Sequence, residues 1–127
     1  LQGNNPVALE HMLIALKYFE GTNNQSGIGF CAINIGIVYM NEGNFQKSLK
    51  YLNYSLKVRK RLNYQKGIAL TLYQIAQVYM QMKKYSIALQ YYKKLLSIFT
   101  KINDASQRNY FINRFVNHTK KGDIKVL

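Results

Sequence analysis

Apolar residues recur along this chain at the three-and-four spacing of an α-helix, and no stretch shows the sustained alternation of a β-strand. One such run covers positions 28–40, and a second begins after Asn44, a residue type that suits a helix N-cap. Between the two runs lies the sequence NEGN, in which Gly43 suits the C-terminal end of a helix. The pattern predicts an all-α chain whose helices are joined by short turns.

The chain repeats itself with a period of 40 residues, since residues 27–66 align with residues 67–106. Such a period indicates a repeat protein in which each unit contributes a pair of antiparallel helices. We expect one domain over residues 1–127: the second helix of a unit at about 6–22, full units at about 27–63 and 67–103, and the first helix of a further unit at about 106–121. Because the sequence starts at Leu1 rather than Met, we expect this domain to be a fragment of a longer repeat protein.

Small and aromatic residues recur at fixed positions of the two full units. Small residues allow two helices to approach closely, and tyrosines can fill the wedge between them. The pattern comprises Ala32, Ile35, Gly36, Tyr39, Ser48 and Leu52 in one unit, and Leu72, Ile75, Ala76, Tyr79, Ala88 and Tyr92 in the next. In these residues the chain resembles the tetratricopeptide repeat family. The usual family repeat is shorter and ends in proline, whereas Pro6 is the only proline here, so the chain is similar to the long-repeat branch.

The resemblance implies both a fold and a kind of function. Members of the family form an α-solenoid of stacked antiparallel helix pairs with a right-handed superhelical twist. Their first helices line a concave groove, and their second helices face outward. The resemblance therefore implies a non-catalytic scaffold or adaptor, part of a larger assembly, that binds a peptide or a partner helix in the groove. The long-repeat branch also includes sensor arms of signalling enzymes and transcription regulators, so a sensory or regulatory arm is an alternative.

First-helix positions that packing does not need should point into this groove. Most of them carry amides, and they become basic toward the C-terminal end. Amides can both donate to and accept from a peptide backbone, although simple tolerance of solvent also explains amides on a helix face. At the 40-residue register these groove columns are Ile33, Tyr73 and Asn113; Asn34, Gln74 and Arg114; Ile37, Gln77 and Asn117; and Asn41, Gln81 and Lys121.

Positive charge dominates the chain, which carries 18 basic and 5 acidic residues for a net charge of +13. Such a surface attracts acidic protein surfaces and nucleic acid, so a nucleic-acid-associated module is a second alternative. A lysine face that is merely solvated, in a protein with an AT-rich codon bias, explains the same charge. On the outward-facing second helix of the first full unit, residues at helical spacing share one face. We name this set the basic stripe: Lys47, Lys50, Lys57, Lys60 and Arg61.

Motifs for catalysis and metal binding do not stand out in the sequence. His11 and His118 lie far apart and the five acids are scattered, so we expect no enzyme activity, no metal and no cofactor. The single Cys31 falls in an apolar run, which favours a packed, reduced thiol. No apolar run reaches the ~18 residues of a membrane span, and we expect a cytoplasmic protein without membrane insertion. The half-units at both ends lack their caps, so we expect them to stack on more repeats, on another domain or, by self-association, on a second copy.

Overall fold

The computed structural model describes the backbone of residues 5–120 and the side chains of residues 6–117. The described residues form six helices and no strand, and consecutive helices pack as pairs. The predicted all-α helical repeat is therefore confirmed. Two compact units divide the chain, Leu1–Tyr64 and Gln65–Leu127. The helices are α1 (Asn5–Gly21), α2 (Gln25–Asn41), α3 (Phe45–Arg61), α4 (Gln65–Gln81), α5 (Tyr85–Lys101) and α6 (Ala105–Lys120).

One type of three-residue turn joins each of these helices to the next. The middle residue of every turn has a positive φ, a conformation that glycine and asparagine tolerate best. The backbone closes each turn in the same way: in the first, Asn24 N–H donates to the Phe19 carbonyl at 2.9 Å and Asn23 N–H to the Glu20 carbonyl at 3.2 Å. The 40-residue period thus consists of two 20-residue halves with one turn geometry. The middle residues are Asn23 (52°), Gly43 (79°), Asn63 (52°), Lys83 (61°) and Asn103 (58°).

The third residue of a turn is also the N-cap of the following helix. Asn24 accepts a hydrogen bond from Gly27 N–H at 2.9 Å, and Asn44 accepts one from Lys47 N–H at 3.2 Å. Lys84, at the equivalent position before α5, makes no such side-chain bond. The predicted roles of Gly43 and Asn44 are confirmed. The shared three-residue turn explains why the helix bounds repeat every 20 residues.

In the first unit, α2 and α3 pack at close range through small residues. A Cβ added at Gly36 would lie 2.7 Å from Leu52 Cδ2 and 3.2 Å from the Ser48 carbonyl oxygen, so only glycine fits without a shift. Ser48 Oγ donates to the Gly36 carbonyl at 2.6 Å, and Ser55 Oγ donates to the Gly29 carbonyl at 2.8 Å. The serine hydroxyls therefore satisfy their hydrogen bonds inside the contact that the small residues create.

Aromatic residues fill more of the second unit. Tyr92 and Phe99 of α5 are buried, and the Phe99 ring stacks on Phe111 of α6 with centroids 5.5 Å apart. Tyr79 stacks on Tyr91 at 5.7 Å, as Tyr39 does on Tyr51 at 5.8 Å in the first unit. The prediction that the tyrosines at 39 and 79 wedge against the second helix is confirmed.

Cys31 belongs to the buried core of the first unit, where Leu16, Ile28, Ile35 and Val58 surround it. Burial raises the pKa of its thiol, so the sulfur stays protonated and packs as a small apolar group. Within residues 5–120 no helix is long and apolar enough to cross a membrane. The described side chains also include no group of three or more His, Cys, Asp or Glu that could hold a metal ion.

Candidate functional site

An arginine enclosed by tyrosines marks the shared face of α4 and α6 in the second unit. The guanidinium carbon of Arg114 lies 5.4 Å from the ring centre of Tyr73 and 5.8 Å from that of Tyr110. Both distances suit cation–π attraction. The Nε atom of Arg114 is buried and has no hydrogen-bond partner in the described structure. We call Tyr73, Tyr110 and Arg114 the arginine–tyrosine cluster.

The electrostatics of this cluster keep Arg114 charged. Burial disfavours the charged guanidinium, but attraction and hydrogen bonding from Tyr73 and Tyr110 outweigh burial and raise the pKa of Arg114. Burial also raises the pKa of Tyr73, which Arg114 opposes. Near neutral pH the cluster is therefore one cation between two neutral phenols. A planar guanidinium held in this way recognises carboxylates and phosphates through paired hydrogen bonds.

A polar contact next to the cluster ties the groove columns to the core. Gln77 Nε2 donates to the hydroxyl of Tyr92 at 2.6 Å, and Tyr92 is fully buried. The ring of Tyr73 also packs on Phe111, with centroids 4.7 Å apart. Gln77 and Tyr73 thus serve packing as well as facing α6, which corrects the expectation that packing does not need these positions.

The remaining groove columns of the second unit offer more surface. Gln81, Asn113 and Asn117 are exposed, and Gln74 is half-buried. Asn117 lies one helical turn after Asn113 and Arg114, so these three side chains follow one another along α6. The structure therefore groups exposed amides beside the arginine–tyrosine cluster. Lys121, the last member of the columns, lies outside the described residues.

In the first unit the groove columns are less uniform. Ile33 is buried, with 8% of its surface exposed, so the expectation that it faces a partner is wrong for this residue. Asn34 and Ile37 are half-buried, and Asn41 is exposed at the end of α2. α2 of this unit consequently presents fewer free polar groups than the α4–α6 face does.

The basic stripe lies on α3, and all five of its side chains are exposed. Lys47 Nζ lies 5.4 Å from the Tyr39 ring centre and Lys50 Nζ 5.5 Å from that of Tyr51. Lys60 and Arg61 lie in the last turn of α3, where positive charge is favourable to the helix dipole. Part of this charge therefore stabilises α3 itself, whatever the stripe binds.

Residues 30–101, more than half of the chain, match the family model of the tetratricopeptide repeat. The chain belongs to the tetratricopeptide repeat family. Members of this family are helical repeat domains for protein–protein interaction and are generally non-catalytic. The expected family and fold are confirmed.

Among solved structures, this tetratricopeptide repeat chain is similar to the apo form of RapI, known from a crystal structure. The TM-score is 0.77 and the identity 24%, over 87% of this chain and 40% of RapI. This likeness supports the fold, and the chain spans well under half the length of RapI. No curated protein matches the chain.

A cleft between α1 and α3 is a further concave feature of this repeat domain, within the first unit. Its volume is about 590 Å³, and its walls combine Leu13 and Ile14 with Glu10, Lys17 and Tyr54. At one end, Tyr54 donates its hydroxyl to Glu20 at 2.7 Å. Sequence reasoning missed both this cleft and the role of Tyr110, since each depends on side chains that come together from separate helices. The sequence offered one hint of the cleft: two of the five acidic residues of this basic chain, Glu10 and Glu20, lie in the same predicted helix.

Proposed function

We propose that this tetratricopeptide repeat domain is a non-catalytic adaptor whose α4–α6 face binds an acidic side chain of a protein partner. The observation that carries the proposal is Arg114, a half-buried, charged guanidinium held between the rings of two tyrosines. A partner carboxylate would pair with the part of this side chain that remains exposed. Because burial and the two rings already fix the guanidinium, little side-chain entropy is lost when it binds.

The neighbouring amides support a peptide as the form of this partner. Asn113 and Asn117 are exposed on α6 beside Arg114, and Gln81 is exposed at the end of α4. Each amide can accept from a backbone N–H and donate to a backbone carbonyl. An extended peptide or the end of a helix presents both groups, so the proposed ligand is a segment with free backbone groups and at least one Asp or Glu.

Selection from a random displayed peptide library, followed by affinity measurement, tests this proposal. We expect the selected peptides to be enriched in Asp or Glu and to lose about tenfold or more in affinity for Arg114→Ala. Arg114→Lys should weaken binding by less than Arg114→Ala, because it retains the charge but not the planar donors. Asn117→Ala should cause a smaller loss.

The matched control is the double variant Lys57→Ala and Lys60→Ala, which removes two exposed charges of the basic stripe. It should leave the affinity of the selected peptides within about twofold at moderate salt, since exposed charges act weakly at a distance. Thermal melting of every variant would show that the fold is intact. Peptides that bind Arg114→Ala as tightly as the natural chain would overturn the proposal.

The basic stripe supports a second candidate function, in which an acidic partner binds to α3. α3 carries Lys47, Lys50, Lys57, Arg59, Lys60 and Arg61 and no acidic residue. A nucleic acid is the strongest polyanion of this kind, and its binding should weaken steeply as salt rises. Binding of mixed DNA and RNA over a salt series, with the same double lysine variant, tests this candidate. Absence of binding at about 100 mM salt would dismiss a nucleic-acid partner.

A further inference from the structure

An exposed apolar side chain recurs near the start of α2, α4 and α6, helices whose other exposed positions are mostly polar. The three residues share one position of the 40-residue register, which lies outside the groove columns. Their exposed fractions are 62% for Phe30, 39% for Leu70 and 52% for Tyr110. Because α2 and α4 have described helices on both sides, this exposure belongs to the register position and does not come from α6 being the last described helix.

In the second unit, this position lies one helical turn from the arginine–tyrosine cluster on both helices. Leu70 precedes Tyr73 by three residues on α4, and such a spacing makes two side chains neighbours on a helix surface. Tyr110 precedes Arg114 by four residues on α6, with the same effect. The two helices meet at this level, since the Tyr73 ring packs on Phe111 with centroids 4.7 Å apart. The exposed surfaces of Leu70 and Tyr110 therefore adjoin the guanidinium.

The combination of apolar surface and positive charge is specific to the α4–α6 face. Four residues after the exposed apolar position, α2 carries Asn34 and α4 carries Gln74, whereas α6 carries Arg114. Of these three helices, α6 alone places a cation there. A ligand complementary to this face has an apolar group beside an anion, because the charge of Arg114 selects the anion and the neighbouring surface loses water to the apolar group.

We propose that the partner segment carries an aliphatic or aromatic side chain close to its acidic residue, and that Leu70 and Tyr110 receive that side chain. This inference rests on the proposed function, because Arg114 must hold the acidic residue. Tyrosine suits such a contact, since it offers a large surface and few rotatable bonds. The apolar contact would add affinity that one exposed ion pair does not supply.

The geometry of α4 and α6 sets the spacing of the two partner residues. α4 and α6 run in the same direction, because a three-residue turn reverses the chain after each helix. One turn of a helix rises about 5.4 Å. In an extended segment that lies along them, side chains two residues apart share one face and are separated by about 6.6 Å. We therefore expect the apolar residue two positions from the acid in an extended partner, and three or four in a helical one.

Peptides selected on the natural chain from a random displayed library give the first readout. Besides Asp or Glu, they should carry an aliphatic or aromatic residue at one of these spacings. Replacement of that peptide residue by Ala should weaken binding about fivefold or more. Leu70→Gln should weaken binding of the unsubstituted peptide by a similar factor, because glutamine keeps the length and helix propensity of leucine but not its apolar surface.

A double-mutant cycle shows whether the two side chains touch. If they do, the Ala-substituted peptide should bind the natural chain and Leu70→Gln almost equally, because the contact is already lost. Phe30→Gln is the matched control, since it removes the equivalent exposed residue of the first unit, and it should leave the affinity within about twofold. Thermal melting of both variants checks that they are folded.

The outcomes separate this inference from the proposed function. Peptides that depend on Arg114 but carry no apolar residue at these spacings would overturn the inference and leave the proposed function standing. Additive effects in the cycle, or an equal loss of affinity for Phe30→Gln and Leu70→Gln, would do the same. A library that yields no binder, or peptides whose affinity does not change with Arg114→Ala, would overturn the proposed function as well.

Discussion

The α2–α3 and α4–α5 pairs share one backbone arrangement but pack different side chains in their cores. In both, two 17-residue helices meet across a three-residue turn. The first pair sets Gly36 against Leu52, whereas the second sets Ala76 and the larger Tyr92 at the same register positions. All of these residues are buried, and Leu52, Ala76 and Tyr92 are completely so. The repeat therefore fixes where the helices approach, while each pair reaches a filled core with its own combination of sizes.

This difference extends to the candidate site. A buried tyrosine hydroxyl needs a hydrogen-bond partner, and Tyr92 finds one in Gln77, a member of the groove columns. The equivalent residues in the first unit, Leu52 and Ile37, need no such contact. Because the amide of Gln77 is bonded to the core residue Tyr92, it is less available to a binding partner. The aromatic core of the second unit also supplies Tyr73, against which Arg114 is held.

Removing the largest buried side chain of the second pair should have the largest effect on stability. Tyr92→Ala should lower the free energy of unfolding by about 3–5 kcal/mol, because it leaves a cavity and deprives Gln77 of its partner. Urea denaturation measures this change. Tyr110→Ala, which removes a 52% exposed ring from the same unit, should change stability by much less. Equal losses for the two variants would contradict the burial of Tyr92.

The helix-pair arrangement was predictable from the sequence, because its turns and its close helix contacts use residue types with strong local preferences. Asn23, Asn63 and Asn103 recur at left-handed positions, and Gly43 occupies another. Lys83 occupies such a position too, but lysine carries no turn signal, so the sequence does not indicate that this turn shares the geometry of the others. The cluster around Arg114 was only half predictable. Tyr110 aligns with exposed Leu70 and Phe30, and its contact with Arg114 depends on side-chain rotamers that periodicity does not encode.

Adding a methyl group at Gly36 and removing one at the equivalent Ala76 should both destabilise the chain, because the two units need different side-chain sizes at this position. Gly36→Ala should destabilise the chain by about 1–3 kcal/mol, since the new Cβ would lie 2.7 Å from Leu52 Cδ2. Ala76→Gly should also destabilise, by about 1 kcal/mol, because glycine weakens a helix interior. Urea denaturation of the two variants compares them directly. A stabilised Gly36→Ala would show that Leu52 yields and that the close approach is not required.

Alkaline pH should weaken the folded state through tyrosines that are buried or half-buried. Burial raises the pKa of Tyr73, Tyr79 and Tyr92 above the ordinary tyrosine value of 10.0. Below that pH both folded and unfolded chains keep these protons, and this source of stability is fully present. Above it the unfolded chain releases protons that the folded chain retains. Stability should then fall by up to about 1.4 kcal/mol per pH unit through the fully buried Tyr92, until the pH passes its raised pKa. The half-buried Tyr73 and Tyr79 should contribute less, because solvent screens them.

Urea midpoints measured from about pH 8 to pH 11 would follow this loss. Tyr92→Phe removes one of the titrating groups and should make the decline shallower. A midpoint that stays constant above pH 10 would contradict the burial of the Tyr92 hydroxyl.

The smallest expected effect concerns the α4–α5 turn, whose middle residue, unlike those of the other four described turns, is neither glycine nor asparagine. Lys83 has φ of 61° and Lys84 makes no side-chain cap, whereas the α2–α3 turn places Gly43 and Asn44 at these positions. Lys83→Gly relieves the left-handed strain, and Lys84→Asn adds a cap to α5, so each should stabilise the chain by about 1 kcal/mol. Thermal unfolding of the single and double variants measures both gains. The reverse change, Gly43→Lys, should lower the stability of the chain by about as much as Lys83→Gly raises it, because the two turns share one backbone geometry. A gain in stability at position 83 without a loss at position 43 would show that the two turns are not equivalent.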